Sequence, residues 1–109
     1  MKKLSLIFVF VAIAAASGFA YFGWRKVTQT PEAYFDRGKI CLDQKKYQEA
    51  LIEFLNAVRQ NPRYRDGRFQ LARTYVKLQD INSAVKNLRS LLEYYPDDVE
   101  ANIELGNLL

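Results

Sequence analysis

The chain has 109 residues, half of them apolar and 26% charged, with a formal net charge of +4, one cysteine and no histidine. That excludes metal sites built from cysteine and histidine and leaves Ser5, Ser17, Ser83 and Ser90 without a histidine base. The positive excess is confined to Lys2, Lys3, Arg25 and Lys26; the remaining basic and acidic residues balance, which argues against a nucleic-acid binder, since that needs a concentrated positive surface.

Leu4–Trp24 is an almost unbroken apolar run, interrupted by Ser5, Ser17, Gly18 and Gly23 and flanked by Lys2-Lys3 and Arg25-Lys26. At ~1.5 Å per residue it predicts a helix about 31 Å long, close to the ~30 Å hydrocarbon core of a bilayer. Tyr21, Phe22 and Trp24 gather at its distal end, where aromatic rings settle at an interface. Residues 1–26 therefore read as a transmembrane anchor. A cleavable signal peptide is the alternative, with Ala14 and Ala16 or Gly18 and Ala20 as small residues for a peptidase. Both options place the remainder of the chain on the extracytoplasmic side, either as a single-pass membrane protein or as an exported soluble one.

After a short linker over residues 27–30, the helical signals begin. Thr30, Pro31 and Glu32 form a start signal of hydroxyl cap, proline at the first helical position and acid in the first turn. Helical apolar spacing runs through Ala33–Leu42, and again through Tyr47–Asn61 at Tyr47, Ala50, Leu51, Phe54, Leu55 and Val58. It returns over Phe69–Leu78. Pro62 and Pro96 each end a second helix, because proline disfavours helical geometry in the residue before it. Asp97 and Asp98 can cap the last helix. Asp66-Gly67 falls inside a helical pattern and predicts a local weakness there.

These elements repeat. Segments starting at Pro31, Arg65 and Val99 are 34 residues apart, aligning Ala50 with Ala84, Phe54 with Leu88, Pro62 with Pro96, and Gly38 with Ala72 and Gly106. Such a period signals stacked units that cannot bury their apolar faces singly. The pattern resembles the tetratricopeptide (TPR) repeat, through Tyr34, Gly38, Ala50, Phe54, Ala57 and Pro62 in the first unit and Leu71, Ala72, Tyr75, Ala84, Leu88 and Pro96 in the second. Ala101, Leu105 and Gly106 begin a third. The predicted fold is all-α: a solenoid of α-α hairpins, about 2.3 units, behind an N-terminal apolar helix, with repeats at 31–64, 65–98 and, in part, 99–109. Two residues depart from the pattern. Arg37 stands where a buried leucine is usual, which suits a solvated N-terminal end of the stack, and Arg68 has no evident reason in the sequence. Cys41 reads as a small core residue. Ile103, Leu105, Leu108 and Leu109 lack a second helix to cover them, so a longer array or a partner at that end is expected.

The resemblance also implies a concave groove for a partner segment. Its lining positions fall on Glu32, Phe35, Lys39, Leu42 and Asp43 in the first unit, on Asp66, Phe69, Arg73, Val76 and Lys77 in the second, and on Glu100, Ile103 and Asn107 in the third. Phe35, Phe69 and Ile103 would form an apolar stripe beside a basic one from Lys39 and Arg73. That surface suits a protein or peptide segment carrying both apolar and acidic groups. The lysine and asparagine clamp that some TPR domains use for chaperone tails is missing, with Phe35 and Phe69 at its place and Gln70 alone resembling part of it. The expected function is a non-catalytic, membrane-tethered interaction scaffold with no cofactor, no nucleic acid and no small-molecule substrate. The whole chain also looks like bacterial envelope TPR proteins, so an accessory role in secretion or polysaccharide export is an alternative, as is the interaction part of a longer enzyme.

Overall fold

The computed structural model describes residues 29–109. The predicted apolar helix over Leu4–Trp24 lies outside the described residues. Among the described residues, no helix is long and apolar enough to cross a membrane.

Among the described residues five helices follow one another: α1 (Pro31–Asp43), α2 (Tyr47–Gln60), α3 (Arg65–Lys77), α4 (Ile81–Tyr94) and α5 (Val99–Leu108). The sequence signals account for most boundaries. Thr30 Oγ1 accepts the Ala33 amide at 3.2 Å and Pro31 opens α1. Asp80 caps α4 by accepting the Ser83 amide, and Asp98 caps α5 by accepting the Ala101 amide at 2.9 Å. Of the two aspartates expected at α5, Asp98 is the one whose side chain caps it. Helices α2 and α4 end two residues before Pro62 and Pro96, with Asn61 and Tyr95 in non-helical conformations.

The turns inside the two hairpins are copies of each other. Lys45 and Gln79 both adopt left-handed backbone, φ 58° and 63°, without being glycine. In each turn the next amide reaches back to close the helix: Lys46 to the Cys41 carbonyl at 2.8 Å, Asp80 to the Tyr75 carbonyl at 2.9 Å. Short connections of this kind make neighbouring helices antiparallel. The turns at 44–46 and 78–80 therefore share one edge of the array, and the start of α1 shares the opposite edge with the turns at 61–64 and 95–98.

The small residues sit where helices touch. Ala50, Ala57, Ala72 and Ala84 are fully buried beside Phe54, Leu88 and Leu91. A Cβ on Gly38 would lie 2.5 Å from Phe54 Cε1, so that glycine is what lets α1 close onto α2. Two apolar clusters result: Ala50, Phe54, Val58 and Leu71, flanked by Phe35, Leu42 and Tyr75; and Phe69, Ala72, Leu88, Leu91 and Ala101, flanked by Leu92, Leu105 and Leu108. Cys41 is half-buried at the margin of the first.

Three expectations change. Gly67 is buried within an intact α3, and its missing Cβ makes room for the Tyr64 ring 2.9 Å away, so Asp66-Gly67 serves a close approach. Arg37 is tied down: its guanidinium donates to Glu53 Oε2 on α2 at 3.0 Å and to Gln29 Oε1 at 3.4 Å, and lies over the Tyr34 ring. Arg68 acquires a reason, because its Nε donates to the Pro62 carbonyl at 2.6 Å and its guanidinium lies 5.7 Å from the Tyr94 ring centre. Sequence spacing could not show the partners at Glu53, Pro62 and Tyr94, since each lies on another element or in a turn; Tyr34, three residues before Arg37 on α1, is the one within reach of helical register.

Candidate functional site

The first helix of each hairpin supplies the predicted groove residues, and the 3.6-residue helical period places positions four apart on one face. The result is a recurrent pairing. Lys39 Nζ lies 5.6 Å from the centre of the Phe35 ring, and the Arg73 guanidinium lies 5.9 Å from that of Phe69, both within cation–π range. The basic residues cover the aromatic ones instead of standing beside them.

Availability differs sharply along the expected apolar stripe. Phe69 is 6% exposed and belongs to the second core cluster, with Arg65 and Arg73 both lying within cation–π range of its ring. Phe35 is half-buried, its ring 5.8 Å from Phe54 and 5.4 Å from Tyr64. Ile103 is 59% exposed. The stripe is therefore apolar at α5, half-covered at α1 and sealed at α3. The physical cause is that a ring at this helical position also faces the neighbouring second helix, and packing there removes more apolar area from water than leaving it outside.

The polar groove residues lie where side chains reach solvent. Glu32, Lys39, Asp43, Asp66, Arg73, Lys77, Glu100 and Asn107 are exposed, while Leu42 and Val76 are half-buried. Acidic residues mark one margin: burial first, then the fields of Glu32, Asp66 and Asp36, push the Tyr64 phenol above its ordinary value. At the other margin Leu42, Asp43, Arg73 and Lys77 meet around an open recess of about 260 Å³, joined by Lys45, Tyr47 and Gln70. The recess takes residues from α1, α2, α3 and the turn at Lys45, so it spans both hairpins. Lys45 and Tyr47 were missed by sequence reasoning because they belong to the turn and the second helix, outside the positions that the repeat pattern marks. Among the described residues no group of three acidic or cysteine side chains is placed to hold a metal ion.

The tetratricopeptide repeat family profile matches residues 42–102, more than half of the chain. The chain belongs to the tetratricopeptide repeat family. A second tetratricopeptide repeat match covers residues 12–65 and begins within the apolar run. The human protein O-mannosyl-transferase TMTC3 is 34% identical over 76 residues, which is 70% of this chain and 8% of the relative. The chain thus spans less than a tenth of that relative's length. TPR arrays act as protein–protein interaction scaffolds by shape, and the all-helical hairpins described above are their architecture.

A second polar constellation joins the TPR units. Arg65 donates from Nε to Asp98 Oδ2 at 2.6 Å and from Nη2 to Asp98 Oδ1 at 2.9 Å, and further contacts Asp66 and Glu100. The Arg65 hydrogen bonds hold the Asp98 carboxyl below the usual carboxylate range, against the opposing effect of its burial and with help from the Ala101 amide. One carboxylate thereby caps α5 and anchors it to α3.

Proposed function

We propose that this chain is a membrane-tethered TPR scaffold that holds an acidic, partly apolar segment of a partner protein against the concave side of α1, α3 and α5. The observation that carries the proposal is the recess shared by both hairpins, with Arg73 and Lys77 exposed beside half-buried Leu42. Lys39 and Arg73 are held over aromatic rings while exposed to solvent, which suits carboxylates of an incoming segment. Glu32, Phe35, Lys39, Leu42, Asp43, Asp66, Phe69, Arg73, Val76, Lys77, Ile103 and Asn107 remain the proposed groove, with Phe69 acting from beneath Arg73 as its support. The scaffold reading is non-catalytic; the transferase named in the human relative belongs to a protein of which this chain matches 8%.

The test is photocrosslinking from a reactive residue at Arg73, compared with one at Arg89 on α4. Crosslinks that form from position 73, fail from position 89 and disappear with Lys39→Glu support the groove. Equal crosslinking from both positions overturns it.

The tether rests on Leu4–Trp24, whose length and all-round apolar character suit a bilayer. Repeats outside the cytoplasm, in an envelope assembly, would follow. The match over residues 12–65 favours one other reading. Ala16 lies one repeat period before Ala50, so the end of the run could instead be the second helix of a preceding unit. Alkaline carbonate extraction with mass measurement of the amino terminus separates the cases: retention in the pellet with an intact terminus supports an anchor, a trimmed terminus supports a removed leader, and release of the intact chain supports a packed helix.

A further inference from the structure

The first helices of the repeats share a charge pattern that the second helices lack. The second residue of α1, α3 and α5 is Glu32, Asp66 and Glu100; the fifth is Phe35, Phe69 and Ile103; the ninth is Lys39, Arg73 and Asn107. Steps of three and four residues keep one helix face, so the rows run from acid through apolar to base across about 10 Å. Acids in a first turn also suit the helix dipole, yet α4 has none there and α2 has Glu49 at its third residue. The rows are continuous from helix to helix. Arg65 on α3 reaches both Asp66 and Glu100. Tyr64 packs on Phe35, and its phenol is raised by burial and then by Glu32, Asp66 and Asp36 together. Across the face, the recess joins Asp43 of α1 to Arg73 and Lys77 of α3, with Lys45 from the turn.

Each margin keeps its own sign. Among the described residues Glu32 and Asp36 make no ion pair, and Arg65 alone answers Asp66, Asp98 and Glu100, which leaves that margin negative. Arg63 and Arg68 lie over Tyr94 at the end of α4, on the second-helix side of the array. At the other margin Lys39, Lys45, Arg73 and Lys77 outnumber Asp43 and the capping Asp80, and among the described residues none of the four makes an ion pair.

We infer that the bound segment carries both signs, with carboxylates toward Lys39, Arg73 and Lys77, cationic groups toward Glu32, Asp66 and Glu100, and apolar side chains between them. The inference rests on the groove reading above and deepens it, because a purely acidic segment would be repelled by one of the two margins. Like charges facing each other exclude wrong partners, as opposite charges favour right ones. In an extended segment successive side chains point to opposite sides, so acid alternating with base meets both margins at once. Order along the array is constrained too. Asn107 ends the basic row, and Ile103, 59% exposed, is the most open member of the apolar row. Carboxylates therefore belong over α1 and α3, and the largest apolar side chain over α5.

The experiment selects random dodecapeptides on the full chain in detergent micelles, with the Lys39→Glu variant as counter-selection, and measures the enriched peptides by fluorescence anisotropy. Replacing an enriched peptide's acidic residues by glutamine, or separately its basic ones, should weaken binding about threefold per charge in either case. Glu32→Gln and Glu100→Gln, both at exposed positions, should shrink the cost of losing the peptide's cations and leave the cost of losing its carboxylates; Lys39→Gln should do the reverse. Peptides that lose nothing with their cations, or whose cation cost neither glutamate variant shrinks, overturn this inference and leave the groove standing. A library with no enrichment over the Lys39→Glu variant, or peptides indifferent to loss of their carboxylates, overturn the groove and this inference together.

Discussion

The two junctions of the array occupy the same register positions and are held by different chemistry. Between the first and second hairpins, Tyr64 stands at the position before α3, packs its ring on Phe35, and offers no side-chain cap. Between the second hairpin and α5, one period later, Asp98 stands at the equivalent place, caps α5 and takes a two-pronged hydrogen bond from Arg65. The repeat fixes where neighbouring units meet, because helix length and turn length set it. What holds them there is free to change, since a tilted aromatic pair and a bidentate ion pair fill the same gap.

Disrupting the packing that both junctions share should have the largest effect. Phe54→Ala, at a fully buried side chain, is expected to cost about 3–5 kcal/mol, and Leu88→Ala at the equivalent site about 2–5 kcal/mol, by urea unfolding of the full chain followed by circular dichroism. Gly38→Ala should cost about 1–3 kcal/mol, because its Cβ would run into the Phe54 ring, whereas Gly106→Ala at the matching position of α5 meets nothing within 4 Å and should be neutral or slightly stabilising. A loss at Gly106 equal to that at Gly38 would mean that α5 is covered as α1 is.

The ionic and aromatic junctions should then separate by salt and pH. Arg65→Met is expected to cost about 1 kcal/mol at low ionic strength and less in 1 M salt, whereas Tyr64→Ala should keep its cost in salt. The folded-state pKa of Asp98 is lowered, so its contribution is present at neutral pH, persists above the unfolded value near 4, and is lost as pH falls through the lower folded value. Asp98→Asn, which retains a capping oxygen, should therefore differ from wild type at pH 7, begin to approach it below about pH 4, and converge only once pH has fallen past the lower folded value. A constant difference across that range would leave Asp98 as a cap without an ionic part. The smallest change is expected at the hairpin turns, where Lys45→Gly or Gln79→Gly relieves left-handed backbone and should add about 0.5 kcal/mol, seen as a slight rise in Tm.

Much of this architecture was legible in the chain itself. Apolar spacing, the caps at Thr30 and Asp98, and the stops at Pro62 and Pro96 are local, and local rules act within a helical turn of the residues that carry them. The hairpin turns were less legible, because their left-handed residues are Lys45 and Gln79 in place of glycine. Of the positions proposed for the groove, the polar ones are exposed where helical register puts them, while Lys45 and Tyr47 join the recess from outside the marked positions.

The sequence by itself determined a helical repeat of fixed period, because one-face burial every 3.6 residues and proline stops need no knowledge of the rest of the molecule. Tertiary structure alone decided that Phe69 is sealed under Arg73 while Ile103 is open, that Arg37 ties α1 to α2, and that Arg68 turns to Pro62 and Tyr94. Those outcomes depend on which neighbour stands across the gap. A side chain's fate at an interface is set by the partner surface, which for Arg37 is Glu53 on the next helix and for Arg68 is Tyr94 at the far end of the same hairpin.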